Sequence, residues 1–171
     1  MADPQLPRTR YRTIVADSAR WDGFAFRPGD GSVAIPAGAT LMMLPQRPYF
    51  PIGSLHAAVV YPSAAGAFDI ERVRQALIDV GLPQLAPRMH EEAHWNRVLS
   101  LGEQQRLGVA RALLHAPTHL FLDEATASLD EPSEAALYRL LGERLPATTL
   151  VSIGHRSTLE AFHQRRLALV R

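Results

Sequence analysis

The sequence predicts an α/β fold built on a mostly parallel sheet. Two observations carry that expectation. Short apolar runs of strand length occur at 40–44, 118–122 and 148–153, and segments with helical spacing of apolar residues lie between them. Strand-like runs that alternate with helices favour parallel pairing, because each return connection is long enough to hold a helix. A third observation places the candidate site. The runs end in polar groups: Pro45-Gln46, Asp123-Glu124 and Gly154-His155. In such sheets ligands bind beyond the carboxyl ends of the strands.

The elements follow in order. Residues 1–40 are interrupted by Pro4, Pro7, Pro28, Gly29, Gly31, Pro36 and Gly38, so only a short strand at 32–35 is expected there. Residues 40–44 read as a buried strand that Pro45 stops. Pro48, Pro51 and Gly53 make 46–54 a loop. Ile70, Val73, Leu77 and Val80 share one helix face, with Asp69 as N-cap and Gly81 as stop. Residues 83–96 read as irregular. Ser100 and Glu103 form a Ser-x-x-Glu capping box at the start of the clearest helix. Its buried face is Leu107, Ala110, Leu113 and Leu114, and Pro117 ends it. The strand at 118–122 runs into Asp123-Glu124. A helix over 132–144 has a proline in its first turn. A strand at 148–153, a short helix and a last strand at 166–170 complete the pattern.

Composition narrows the function. The 171 residues suit one domain, and 47% hydrophobic content supports a core. A net charge of +1 gives no electrostatic case for nucleic acid or an anionic membrane. All 18 basic residues are arginine, so no chemistry that needs a lysine can come from these residues. Cysteine is absent, which excludes disulfides and thiolate metal sites, and no zinc site is expected from the seven histidines. No apolar run reaches the roughly 18 residues of a membrane span. Met1-Ala2-Asp3-Pro4 does not read as a signal peptide. A membrane role is expected only through a partner.

Two segments carry chemistry. In Leu120-Phe121-Leu122-Asp123-Glu124 an apolar strand delivers adjacent acids that alternation points in different directions. One can bind Mg²⁺ and the other can orient or deprotonate a water; the plainer reading is an acid pair at a helix start. In Leu99–Arg106 a helix start with free N–H groups beside Gly102 can be an ordinary cap or an anion site suited to phosphate, and the two are compatible.

The order of these motifs resembles the ATP-binding-cassette (ABC) family. Gln46 in Leu44-Pro45-Gln46-Arg47-Pro48-Tyr49 resembles the Q-loop, Leu99–Arg106 the signature, and Leu120–Glu124 Walker B. Ser128-Leu129-Asp130 resembles the D-loop, and His155 the switch histidine. The resemblance covers about 31–171, leaving 1–30 unmatched, and implies a P-loop NTPase-like ATPase domain with a helical signature subdomain. The Leu-Ser-Leu-Gly-Glu-Gln-Gln-Arg form, with Trp95 upstream, is similar to bacterial transporters akin to peroxisomal fatty-acyl carriers and peptide-uptake proteins. It departs from the usual Leu-Ser-Gly-Gly-Gln at Leu101 and Glu103.

The resemblance implies roles. Gln46 would contact Mg²⁺ or the attacking water and relay to a membrane partner, Asp123 would hold Mg²⁺, Glu124 would be the base, and His155 would meet the γ-phosphate. Ser100 and Gly102, with Glu103 in the same nucleotide-binding set, would contact ATP held by a second nucleotide-binding domain, and Asp130 would couple the two sites. ATP and Mg²⁺ are the implied cofactors. A second nucleotide-binding domain and a transmembrane permease are the implied partners, at the cytoplasmic face of the inner membrane. His56, His90, His94, His115, His119 and His163 receive no role, and Tyr49 and Phe50 are read as packing or partner-facing residues.

One part of the family pattern has no match: Gly-x-x-x-x-Gly-Lys-Ser/Thr, whose N–H groups and lysine cradle phosphates. Tyr11 and Trp21 do not replace the family's adenine-stacking aromatic. A truncated, frameshifted or fragmentary cassette is therefore expected, inactive alone, without the central strand that leads into the phosphate loop. The alternative is a non-catalytic module that lends its signature to a complete cassette.

Overall fold

The computed structural model describes residues 12–15, 36–154 and 156–168. His155 and the strand expected at 32–35 lie outside the described residues. In chain order the elements are β1 (Arg12–Val15), β2 (Leu41–Pro45), β3 (Gly53–Ser54), α1 (Leu55–Val60), α2 (Ile70–Asp79), a 3₁₀ helix over Pro83–Arg88, β4 (Glu92–Ala93), α3 (Trp95–Val98), α4 (Leu101–His115), β5 (His119–Asp123), α5 (Glu131–Arg144), β6 (Thr149–Ile153), a 3₁₀ helix over Ser157–Phe162, and β7 (Arg166–Ala168).

Five strands form one parallel sheet in the order β2-β5-β6-β1-β7, and β3 pairs antiparallel with β4 beside it. The steps from β2 to β5 and from β5 to β6 run in one direction across the sheet, and α4 and α5 touch each other. Leu44, Leu120, Leu122 and Leu150 on the strands are buried, as are Leu107, Ala110 and Leu114 of α4. Leu113 is only partly buried against the same core. The helical part, α1 to α3 with the start of α4, has its own buried residues in Leu55, Val59, Leu77, Leu82, Leu85 and Trp95.

The helix ends follow from local chemistry. Ser100 Oγ accepts from Glu103 N while the Glu103 side chain returns to Ser100 N, so the expected capping box forms. Ala116, left-handed at φ 43°, and then Pro117 end α4. Asp69 caps α2, and Gly81 at φ 77° stops it.

Three expectations are corrected. Residues 83–96, expected to be irregular, carry the 3₁₀ helix over Pro83–Arg88, β4 and the start of α3. The loop expected at 46–54 gives way at Gly53 to β3 and then to α1, which Ser54 caps by accepting from Ala57 N. At six residues, α1 is too short to show a helical period. The sheet was also expected to lack an inner strand. Arg12–Val15 fills that slot, pairing parallel with both β6 and β7.

Candidate functional site

The sheet register sets the site. Pro45, Asp123 and Ile153 are cross-strand partners, so β2, β5 and β6 end level with one another. The residues that follow them, Gln46, Glu124 and Gly154, therefore share one edge. Gln46 Nε2 donates to Glu124 Oε2 at 3.2 Å. Glu124 leaves the strand at φ 48°, a left-handed conformation that costs a non-glycine residue about 1–2 kcal/mol. Its N–H donates to Ile153 O at 3.0 Å, which holds it to β6 while the chain turns. Backbone strain of this kind gathers at functional sites.

The turn after Glu124 is fastened from several sides. Ala127 N donates to Glu124 O and Leu129 N to Thr126 O, each at 3.0 Å. Arg156 donates to Leu129 O at 2.8 Å and Ala127 O at 3.1 Å. Its third partner is Glu134, a carboxylate only 2% exposed, which also accepts from Thr126 Oγ1 at 2.5 Å. Asp130 accepts from Ser133 N at 2.9 Å and so caps α5. The Ser133 hydroxyl and amide hold its carboxyl below the ordinary range.

Ser100 and Gly102 start α4 against this turn. A Cβ built on Gly102 would lie 3.2 Å from Leu129 Cδ2 and 3.7 Å from Ser128 O, so the absence of a side chain lets the helix approach. Glu103 is turned onto Ser100: its Oε2 accepts from Ser100 N at 2.9 Å and from Ser100 Oγ at 2.8 Å. Partial burial works to raise its pKa, but Ser100, Gln84 and nearby Arg88 outweigh that and hold it below the usual glutamate value. Gly154 is needed for a similar reason as Gly102, since a Cβ there would meet Leu159 Cδ1 at 2.6 Å.

The structure thus brings Gln46, Asp123 and Glu124 to one strand edge, and Ser100, Gly102 and Asp130 to the turn beside it. His155 lies outside the described residues. Space around Glu124, Thr126, Gly154 and Arg156 is closed to about 10 Å³. A larger cavity of about 390 Å³ lies between α5 and the 3₁₀ helix over Ser157–Phe162, and none of the motif residues line it. Phe50 is buried, whereas Tyr49 is 61% exposed.

One histidine spacing runs against the expectation of no zinc site. His90-Glu91-Glu92-Ala93-His94 has the order of a His-Glu-x-x-His motif, which binds zinc when a helix places both histidines on one face. Here the segment is a turn followed by β4, and both histidines are exposed. Among the described residues no group of three or more His, Asp or Glu could hold a metal ion.

Comparison with known proteins agrees with the fold. The ABC transporter family model matches residues 32–127. The chain belongs to the ABC transporter family. An uncharacterized ABC transporter ATP-binding protein of Haemophilus influenzae is 48% identical over 128 residues, which are 75% of this chain and 22% of that protein. The lysosomal cobalamin transporter ABCD4 of Homo sapiens is 40% identical over 139 residues, with 75% of this chain and 23% of the relative covered. A bacterial Atm1-family ABC exporter with ATP bound superposes with a TM-score of 0.67 at 26% identity, over 77% of this chain and 23% of that one. The chain spans less than a quarter of the length of these ABC proteins. Among the described residues no helix is long and apolar enough to cross a membrane.

Proposed function

We propose that this chain is an ATP-binding, signature-bearing component of an ABC membrane transporter that works on nucleotide shared with a second nucleotide-binding domain. The observation that carries this is the level ending of β2, β5 and β6, with Gln46 bonded to Glu124 at 3.2 Å and the Ser100 helix start against the following turn. In this reading residues 31–171 are the later part of the ATPase domain. Asp123 and Gln46 supply oxygen donors at adjacent strand ends, which suit a hard cation such as Mg²⁺. Glu124 is the base that orients or deprotonates water, and His155 meets the γ-phosphate. Ser100, Gly102 and Glu103 face nucleotide across the shared site, and Asp130 couples the two sites.

The phosphate cradle does not fit as well. The sequence has no lysine and no phosphate-loop match. These residues alone are therefore expected to hold ATP weakly and to turn it over only with a complete partner. A transmembrane permease at the cytoplasmic face of the inner membrane is the other partner. The exposed Tyr49, Ile52, Tyr61 and Val98, close to the Gln46 loop, offer it an apolar surface.

The test measures ATP binding and hydrolysis by the purified chain, with and without Glu124→Gln. It then measures ATP-dependent association with a complete ABC nucleotide-binding domain. No Glu124-dependent turnover alone, and association abolished by Ser100→Arg, are expected. Glu124-dependent turnover by these residues alone would sink the claim of partner dependence. Association that ignores both ATP and Ser100→Arg would sink the shared-site reading.

A further inference from the structure

Gln105 lies on α4, one turn beyond Gly102, and is 1% exposed. Its Nε2 donates to Gln46 O at 3.0 Å, and its Oε1 accepts from Ser128 N at 3.0 Å. A backbone carbonyl can only accept and an N–H can only donate, so the two partners fix which way the amide points. The two contacts reach 59 and 23 residues along the chain. One side chain therefore spans two loops that are otherwise far apart in sequence.

Each loop carries part of the site. The side chain of Gln46 donates to Glu124. Ser128 belongs to the turn that starts at Glu124 and ends at Asp130, the cap of α5. We propose that Gln105 is a positioning residue: its amide sets the spacing between the Gln46 loop and the 124–130 turn, so that α4 holds Gln46 in place against Glu124. The bridge stands on its own geometry; its consequence for nucleotide rests on the function proposed above.

Two substitutions separate positioning from mere packing. Gln105→Met keeps the volume and loses both hydrogen bonds at every pH. Gln105→Glu keeps an acceptor for Ser128 N, but as a carboxylate it turns an oxygen toward Gln46 O. Once protonated it regains an O–H donor for that carbonyl, and burial raises the pH at which this happens. The readouts are the side-chain amide signals of Gln46 and the exchange of the Ser128 N–H, followed by NMR between about pH 5 and pH 8.

In Gln105→Met, Ser128 exchange is expected to quicken on the order of tenfold, with the Gln46 amide signals displaced at all pH values. In Gln105→Glu, the Gln46 signals are expected to be displaced at high pH and to return toward wild type as the pH falls. Ser128 should stay protected throughout. Wild-type-like signals in Gln105→Met, or a Gln46 response in Gln105→Glu that does not change with pH, would overturn the bridge. Should Gln105→Met not fold, Gln105→Glu at low pH decides alone. ATP-dependent association with a complete nucleotide-binding domain is measured in parallel. If wild type shows none while the NMR response is as expected, the site reading fails and the bridge survives. If wild type associates but the NMR signals do not respond, the reverse holds.

Discussion

Replacing Arg111 by methionine tests how the loop after Gln46 is held to α4. Arg111 is 5% exposed. Its Nε and Nη2 donate to Ala58 O at 2.9 and 2.5 Å, and Nη1 donates to Tyr49 O at 2.7 Å. Ala58 O has no helical partner, because the residue four positions on is Pro62, which lacks an N–H. The guanidinium also lies over the rings of Phe50 at 4.5 Å and Tyr61 at 5.2 Å. Methionine keeps most of the buried hydrocarbon and removes every donor. Two carbonyls left unpaired cost about 1–3 kcal/mol each. Lost contact with the rings costs about 1–2 kcal/mol more. Against this, burial pushes Arg111 from 12.5 down to about 10. The fold therefore gives up roughly 3 kcal/mol to keep it charged, which methionine recovers. Taken at the middle of these ranges, the balance is a loss of about 2–3 kcal/mol, read as a lower urea midpoint at unchanged slope. A variant as stable as wild type would refute the reasoning, because desolvation of the charge would then outweigh the bonds it makes.

Two further predictions concern the strand β6 end. Gly154→Ala forces a methyl to 2.6 Å from Leu159 Cδ1, so a loss of about 1–3 kcal/mol and a lower Tm are expected; an unchanged Tm would mean that Leu159 turns aside freely. His163 is pushed below its ordinary value of 6.5 by burial, which outweighs the bond to Leu159 O. That carbonyl can only accept, so Nδ1 carries the proton and Nε2 accepts from Ser152 Oγ. Below about pH 6.5 the unfolded chain binds a proton that the folded chain resists, so stability is full above that pH and declines below it. His163→Gln is expected to flatten this decline; urea titrations at several pH values that give parallel curves for the two proteins would count against it.

What the sequence made legible was local. The capping box at Ser100, the apolar runs at β5 and β6, and the stops at Gly81 and Pro117 are each written within a few residues, and the structure places them within a residue or two of expectation. The order of motifs placed Gln46, Asp123 and Glu124 at strand ends, which the sheet then aligned. The missed features depend on distant partners. Arg111 and Gln105 sit on the α4 face that meets loop carbonyls, and no periodicity marks a side chain that will bond to a backbone more than 50 residues away. β1 has four residues and α1 has six, too few for either period to emerge. Asp130 was assigned a coupling role by resemblance alone, although an acid just before Glu131-Pro132 is also a plain N-cap signal.

The two sides of the site differ in readiness. At the strand edge Gln46 already meets Glu124, and Gln105 ties that loop to the following turn. At the start of α4 the donors of Ser100 are turned inward, because Glu103 accepts from both its amide and its hydroxyl. Glu103 stays ionised below the usual glutamate range. If phosphate reaches Ser100 as proposed, it meets a carboxylate of like charge on the donors it needs. Binding there requires Glu103 to swing away and to exchange Ser100 for water, Gln84 or the nearby Arg88. The same hydrogen bonds that start the helix thus oppose the anion in the free chain. Where the resemblance aligns Glu103 with the signature's glutamine, this chain puts a negative charge in place of a neutral amide.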